Sequence, residues 1–186
     1  MKYRYYYYWL IVLLFFLTAC TKDFFTKDKE FSMKAIPYTG NELRIDGYYY
    51  KKAGHDATRV YIFVFYANGV YFGGVGSISF SELEDKLRNP LYIKNLRDTK
   101  SCWGPYQIEG NVLKSEYYDI FGHDWRTCIA HCKILNDSTF NIEEITFSKT
   151  GKKVNVEREG TSYYFLGEYH FKQFSPKPDS TNYIVK

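Results

Sequence analysis

The segment RVYIFVFYANGVYFGG, residues 59–74, constrains the fold more than any other part of the sequence. Asn68 and Gly69 separate two runs of aromatic and β-branched residues, and this dipeptide is typical of a two-residue type I′ turn between antiparallel strands. Such a turn would pair Phe65 with Phe72, and opposed residues share a face of the sheet. The sequence therefore predicts a β-hairpin whose core-facing residues are Tyr61, Phe63, Phe65 and Phe72.

The opposite face of this hairpin, which would include Tyr66 and Tyr71, is also rather apolar, so we expect another element to cover it. Downstream, Ser81 and Glu84 have the spacing of a capping box, which begins many helices. Pro90 is typical of a helix end. The pattern predicts one short helix over 82–89 that packs on the sheet, because so short a helix is not stable alone.

The remaining chain shows further strand patterns separated by turn residues every 10 to 15 positions. Such spacing favours a barrel or sandwich over a parallel sheet. We predict an all-β fold, an antiparallel up-and-down barrel of about eight strands, with a two-sheet β-sandwich as the alternative. The two differ in whether the first and last strands pair. The other predicted strands begin near residue 43 and cover 102–108, 112–120, 125–135, 139–147 and 162–174.

The N-terminus has the features of a secretory signal peptide. Lys2 and Arg4 precede a short apolar run, too short before the charged segment to span a bilayer comfortably. The sequence LTAC that ends at Cys20 resembles the lipobox of bacterial lipoproteins. This resemblance implies cleavage before Cys20 and lipidation of its thiol and amine, and several acyl chains together anchor a protein stably.

These features predict four parts: a signal peptide over 1–19, a lipidated N-terminus and tether over 20–42, a barrel over 43–175 and a tail over 176–186. We expect a lipid-anchored protein of the bacterial cell envelope, at the outer membrane, on either its periplasmic or its outer side. The formal net charge of +4 falls to +2 without residues 1–19. So mild a balance indicates no nucleic-acid partner.

A group of zinc-competent residues, Cys128, His131 and Cys132, lies in one short segment. On a helix these side chains could converge, but on a strand His131 points away from both cysteines. The surrounding residues favour a strand, so we predict buried thiols and no metal site. Cys102 could form a disulfide with one of the other two, or all three thiols could be free. No catalytic motif or cofactor-binding motif is recognisable, so we predict a non-catalytic protein without a cofactor.

Two aromatic motifs, Gly47-Tyr48-Tyr49 on the first strand and Trp103-Gly104-Pro105-Tyr106, occur in an up-and-down order of strands that resembles lipocalin-like bacterial lipoproteins. The resemblance implies an antiparallel barrel with an apolar interior and a bound small apolar molecule. An eight-stranded barrel can also be filled by its own side chains. The alternative is therefore a structural lipoprotein, or one that binds protein or glycan, with a filled barrel. The expected ligand-binding residues are Tyr49, Phe63, Phe65, Phe72 and Tyr106.

Overall fold

The computed structural model describes residues 30–53, 59–76, 79–121, 124–155 and 165–185. The expected signal peptide and Cys20 lie outside these residues. Among the residues described, no helix is long and apolar enough to span a membrane.

The described chain folds into a closed antiparallel barrel of eight strands, each paired with its sequence neighbours. Because β1 also pairs with β8, Tyr49 opposite Phe171, the barrel is confirmed and the sandwich alternative is wrong. The strands are β1 (Gly47–Ala53), β2 (Arg59–Phe65), β3 (Val70–Gly76), β4 (Trp103–Glu109), β5 (Val112–Phe121), β6 (Asp124–Asn136), β7 (Thr139–Phe147) and β8 (Gly167–Gln173).

The β2–β3 hairpin forms where expected, but its register differs by one residue from the prediction. Phe65 pairs with Tyr71 rather than with Phe72. The backbone N–H of Tyr66 donates to Val70, so the loop has three residues that end at Gly69, whose φ is +81°. A three-residue loop with glycine in the left-handed region is the next commonest hairpin connection. A one-residue shift moves side chains to the other face, so Tyr71 faces the interior and Phe72 faces outward.

Two short helices follow β3 instead of one. Helix α1 (Phe80–Arg88) begins two residues earlier than predicted, because Ser79 and Glu82 form the capping box. Helix α2 (Pro90–Leu96) begins at the proline that was expected to end the first helix, with Asn89 capping its first N–H groups. Proline is well suited to a first helical position because it has no N–H to leave unpaired. A 3₁₀ turn (Lys100–Cys102) then leads into β4.

The barrel wall separates two apolar layers. The inner layer is rich in aromatic residues and includes Cys128 and Cys132, as the strand interpretation of this segment predicted. The outer layer joins the outward face of β2 and β3 to Leu83 and Leu87 of α1 and to Ile93 of α2. The helices therefore cover the apolar outer face of the hairpin, as expected.

The terminal segments cross the outside of the barrel. Residues 30–46 run past the β2–β3 turn, where the Tyr38 N–H donates to the Ala67 carbonyl at 2.8 Å. The C-terminal residues return over β2, and Lys177 Nζ donates to the Phe65 carbonyl at 2.6 Å. The turns after β2, β4 and β6 lie together at this covered end, called the hairpin end below. The opposite end, toward which β1, β3, β5 and β7 run, is called the open end because the ladder between β3 and β4 stops short of it.

Candidate functional site

The half of the interior nearest the hairpin end is filled by side chains. The Phe65 ring centroid lies 4.8 Å from Tyr106 and 5.7 Å from Tyr49. Phe140 stacks on Tyr169 at 5.1 Å. The tyrosines turn their hydroxyls to backbone carbonyls: Tyr49 donates to Asp137 at 2.7 Å and Tyr106 to Tyr66 at 2.9 Å. These rings satisfy their polar atoms without a ligand, and they leave the hairpin end closed.

The barrel wall is incomplete toward the open end. Strand β4 pairs with β3 over only three residue pairs, the last of which joins Phe72 to Trp103. It pairs with β5 only as far as Tyr106 opposite Ser115. Beyond these points β3 pairs only with β2, and β5 only with β6. The β4 strand therefore leaves a gap in the wall between the C-terminal halves of β3 and β5.

A cavity of about 500 Å³ occupies this gap and joins the barrel interior to the space beneath the helices. Its lining is mostly apolar and comes from both sides of the wall. From the interior it includes Tyr61, Phe63, Tyr71, Tyr117, Ala130 and Ile142; from the outer layer it includes Val60, Ile62, Phe72, Leu83, Leu87, Tyr92 and Tyr118.

Hydrogen bonding and small residues set the limits of this cavity. The Tyr71 hydroxyl donates to the Glu116 carbonyl at 3.2 Å and so bridges β3 and β5 where the gap begins. Burial raises the pKa of Tyr71 well above its usual value, so this hydroxyl stays protonated. Gly73 and Gly74 line the cavity on β3. A Cβ added to Gly74 would meet only the Phe72 ring, at an ordinary 3.9 Å, so the space beside Gly74 is open.

A few polar groups line the cavity. Asp119, buried and two residues beyond Tyr117 on the inward face of β5, is opposite Arg126 of β6 in the strand register. Cys102 also lines the cavity; its thiol is free and partly buried, and burial raises its pKa. A mostly apolar chamber with a few polar groups is the usual chemistry of a small-molecule site.

Only two of the five expected ligand-binding residues line this cavity. Phe63 does so from the interior. Phe72 does so from the outer layer, because the register shift reversed its face. Tyr49, Phe65 and Tyr106 lie in the filled half, so the structure does not bring all five residues together at one cavity.

The residues that shape the cavity were missed by the sequence reasoning, above all the glycine pair on β3 and the helical residues. Adjacent glycines inside a strand were a usable signal, since a strand glycine often marks a place where a ligand approaches closely. The contribution of α1 and α2 carried no such signal, because it depends on how the helices dock.

The segment with Cys128, His131 and Cys132 is a strand, as predicted. Neither cysteine forms a disulfide and both side chains face the interior, whereas His131 faces away and its Nε2 hydrogen-bonds Thr146 Oγ1 at 2.9 Å. Burial lowers the pKa of His131, which favours the neutral ring. Within the described ranges, no group of three or more His, Cys, Asp or Glu side chains is arranged to hold a metal ion.

No protein-family model matches the chain, and no curated protein or solved structure matches it.

Proposed function

We propose that this protein is a non-catalytic lipoprotein of the bacterial cell envelope that binds a small apolar ligand. The cavity between β3 and β5 carries the proposal. Its volume of about 500 Å³ falls within the range of about 300–1,000 Å³ that is usual for small-molecule sites. The aromatic and aliphatic lining on both sides of the wall suits a hydrocarbon or ring system better than a charged ligand.

The membrane part of the proposal rests on the N-terminal sequence. The lipobox-like LTAC motif supports a lipid anchor on Cys20, and the apolar run before it supports export. A ligand-binding domain tethered in this way would meet apolar molecules where they are most concentrated, at a membrane surface.

The second candidate is a structural lipoprotein, or one that binds protein or glycan, without a small ligand. The filled half of the barrel favours it, because the rings around Phe65 and Phe140 pack to the centre of the interior. Under this alternative, the cavity would be a packing defect between wall and helices.

The experiment that separates the two candidates fills the cavity with a larger side chain at Gly74 of β3. Gly74→Leu and Gly74→Phe would place apolar atoms in the open space beside the Phe72 ring. With anilinonaphthalene sulfonate as the fluorescent probe, we expect Gly74→Phe to lower the affinity about tenfold or more, a loss of about 1.4 kcal/mol or more. Gly74→Ala is the matched control, since its single methyl group fits and should leave probe binding nearly unchanged.

A second readout uses the partly buried thiol of Cys102, which lines the cavity. Probe at saturating concentration should slow the reaction of this thiol with a maleimide, and Cys102→Ser should remove the reaction. Native mass spectrometry of protein purified from its own envelope should show a retained mass that Gly74→Phe loses. If Gly74→Phe binds the probe as wild type does and no mass is retained, the ligand proposal fails and the filled-barrel candidate remains.

A further inference from the structure

The segment that precedes β1 lies along the outer surface of the barrel wall. Followed from β1 toward the N-terminus, it runs from the hairpin end toward the cavity and passes the β2–β3 turn at Tyr38, which is hydrogen-bonded to Ala67. It then reaches β4, where Gln107 Nε2 donates to the Lys34 carbonyl at 3.0 Å. From there it passes onto β5. Each step toward the N-terminus brings the chain nearer the open end.

A buried carboxylate fixes the segment on β5. Glu116 is fully buried against the segment and accepts hydrogen bonds from the Ser32 N–H at 3.0 Å, the Ser32 Oγ at 3.1 Å and the Met33 N–H at 2.7 Å. Hydrogen bonds to a charged acceptor are about twice as strong as neutral ones. The segment is therefore held at a defined place on the wall.

The first described residues lie beside the cavity. The Phe31 ring packs on Tyr118 with the centroids 4.7 Å apart, and Tyr118 lines the cavity. Two residues further along the same face of β5 is Ile120, opposite Trp125 of β6. Both line the cavity, and Ile120 is 44% exposed. The described part of this segment therefore begins beside Tyr118, two residues along β5 from Ile120.

The length of chain outside the structure limits how far the rim of the cavity can lie from the anchor. Positions 20 and 31 are separated by 11 residues, which reach at most about 40 Å when fully extended and about 20 Å as a flexible chain. Along β5, Tyr118, which packs on Phe31, lies two residues from Ile120 and six residues from Val112 at the hairpin end, which is about 7 Å and about 20 Å at about 3.3 Å per residue. The rim can therefore face the membrane with the tether slack, whereas presenting the hairpin end would take about the whole length of the tether as a flexible chain.

The rim also has the side chains of a membrane-contacting surface. Ser101, Ile120 and Trp125 line the cavity, and Lys100 adjoins Ser101 in the 3₁₀ turn; these four residues are called the rim surface below. Tryptophan favours the membrane–water interface, and lysine is attracted to anionic lipid headgroups. Lys100 Nζ lies 5.7 Å from the Tyr118 ring centroid, next to the point where the tether leaves the wall.

We propose that the rim surface rests on the bilayer that holds Cys20, and that the cavity takes an amphiphile with an acyl chain directly from that bilayer. The inference rests on the proposed function and on the predicted lipid at Cys20. It adds the orientation of the barrel, the surface that contacts lipid and the chemical class of the ligand.

The test uses the full mature lipoprotein on vesicles of phosphatidylcholine and phosphatidylglycerol whose acyl chains carry bromine, which quenches nearby tryptophan. The sequence has three tryptophans. Trp9 belongs to the predicted signal peptide and Trp103 is 1% exposed, so Trp125 is the tryptophan that can report on contact with lipid. We expect brominated lipid to reduce the emission relative to unbrominated lipid, and Trp125→Phe to abolish this reduction.

The matched control moves the reporter to the hairpin end. Leu135 lies near the end of β6 and is 48% exposed, so Leu135→Trp in the Trp125→Phe background should remain unquenched. Quenching of that variant equal to or greater than that of wild type would overturn the orientation. So would unquenched wild type on vesicles that it demonstrably coats, or failure to coat them at all. Probe binding in the Gly74 series needs no vesicles, so it distinguishes a failed ligand proposal from a failed orientation.

Discussion

Phe65→Ala tests whether the hairpin end of the barrel is filled, because Phe65 lies at the centre of that packing. Its ring contacts Tyr49, Phe63, Tyr106 and Phe140, with centroid separations between 4.8 and 5.9 Å. The side chain is 1% exposed. Alanine would leave an enclosed apolar void that the surrounding rings cannot all move to fill.

The expected cost follows from this burial. Replacing a buried phenylalanine by alanine loses the transfer free energy of the ring and leaves a cavity, in total about 3–5 kcal/mol. For a domain of about 150 residues each kcal/mol lowers the melting temperature by about 2–4 °C. We therefore expect Phe65→Ala to lower it by about 6–20 °C.

The assays are thermal unfolding and equilibrium unfolding in urea, both followed by circular dichroism, together with binding of anilinonaphthalene sulfonate. Phe65→Ala should shift the urea midpoint without changing the slope, and should leave probe affinity unchanged because Phe65 does not line the cavity. Phe72→Ala is the paired variant, since Phe72 does line it and should alter probe affinity. A stability loss below about 1 kcal/mol in Phe65→Ala would refute the filled interior.

Three other perturbations address the tether, the C-terminal segment and the anchor. Glu116→Gln replaces the charged acceptor of the Ser32 and Met33 N–H groups. We expect the free energy of unfolding in urea to fall by about 1–3 kcal/mol and proteolysis near residue 32 to become faster. Unchanged proteolysis would contradict the docking of this segment on β5. Burial lowers the pKa of Lys177 to about 8, so between about pH 8 and 10.5 the unfolded chain binds a proton that the folded chain lacks, and stability rises with pH. The stability of wild type relative to Lys177→Met should therefore rise across this range, and a flat or falling difference would exclude the burial of this ammonium group. Cys20→Ser should abolish acyl labelling and membrane retention, and undiminished labelling would disprove the anchor.

The strands could be predicted because their signal is local. Alternation of apolar and polar residues and the turn residues between strands placed β7 at its observed bounds and β5 and β6 within one residue of theirs. The register of the β2–β3 hairpin could not be predicted with the same certainty. Asn-Gly suits both a two-residue loop and the last two positions of a three-residue loop, since both place glycine at positive φ.

That single ambiguity decided which aromatic residues belong to the interior. With Ala67 in the loop, Tyr71 faces inward and bonds Glu116 across the wall, whereas Phe72 packs on Trp103 in the outer layer. The helix boundaries were ambiguous in a similar way. Ser79 and Ser81 both precede a glutamate by three residues, so the same motif fits two helix starts two residues apart, and the structure uses the first.

The cavity arises from the point at which a hydrogen-bonded ladder ends, and no local pattern encodes that point. β4 begins at Trp103 because the chain from β3 first passes through α1, α2 and the 3₁₀ turn, which must cover the apolar outer face of the hairpin. The strand therefore enters the wall late and meets β3 over three pairs only. Small residues then keep the space open, Gly73 and Gly74 on β3 and Ala130 on β6. The same helices that stabilise the outer layer thus cause the wall gap and form one side of the chamber. A ligand in this position would contact both layers at once, so its binding should stabilise the docking of α1 and α2 as well as the barrel.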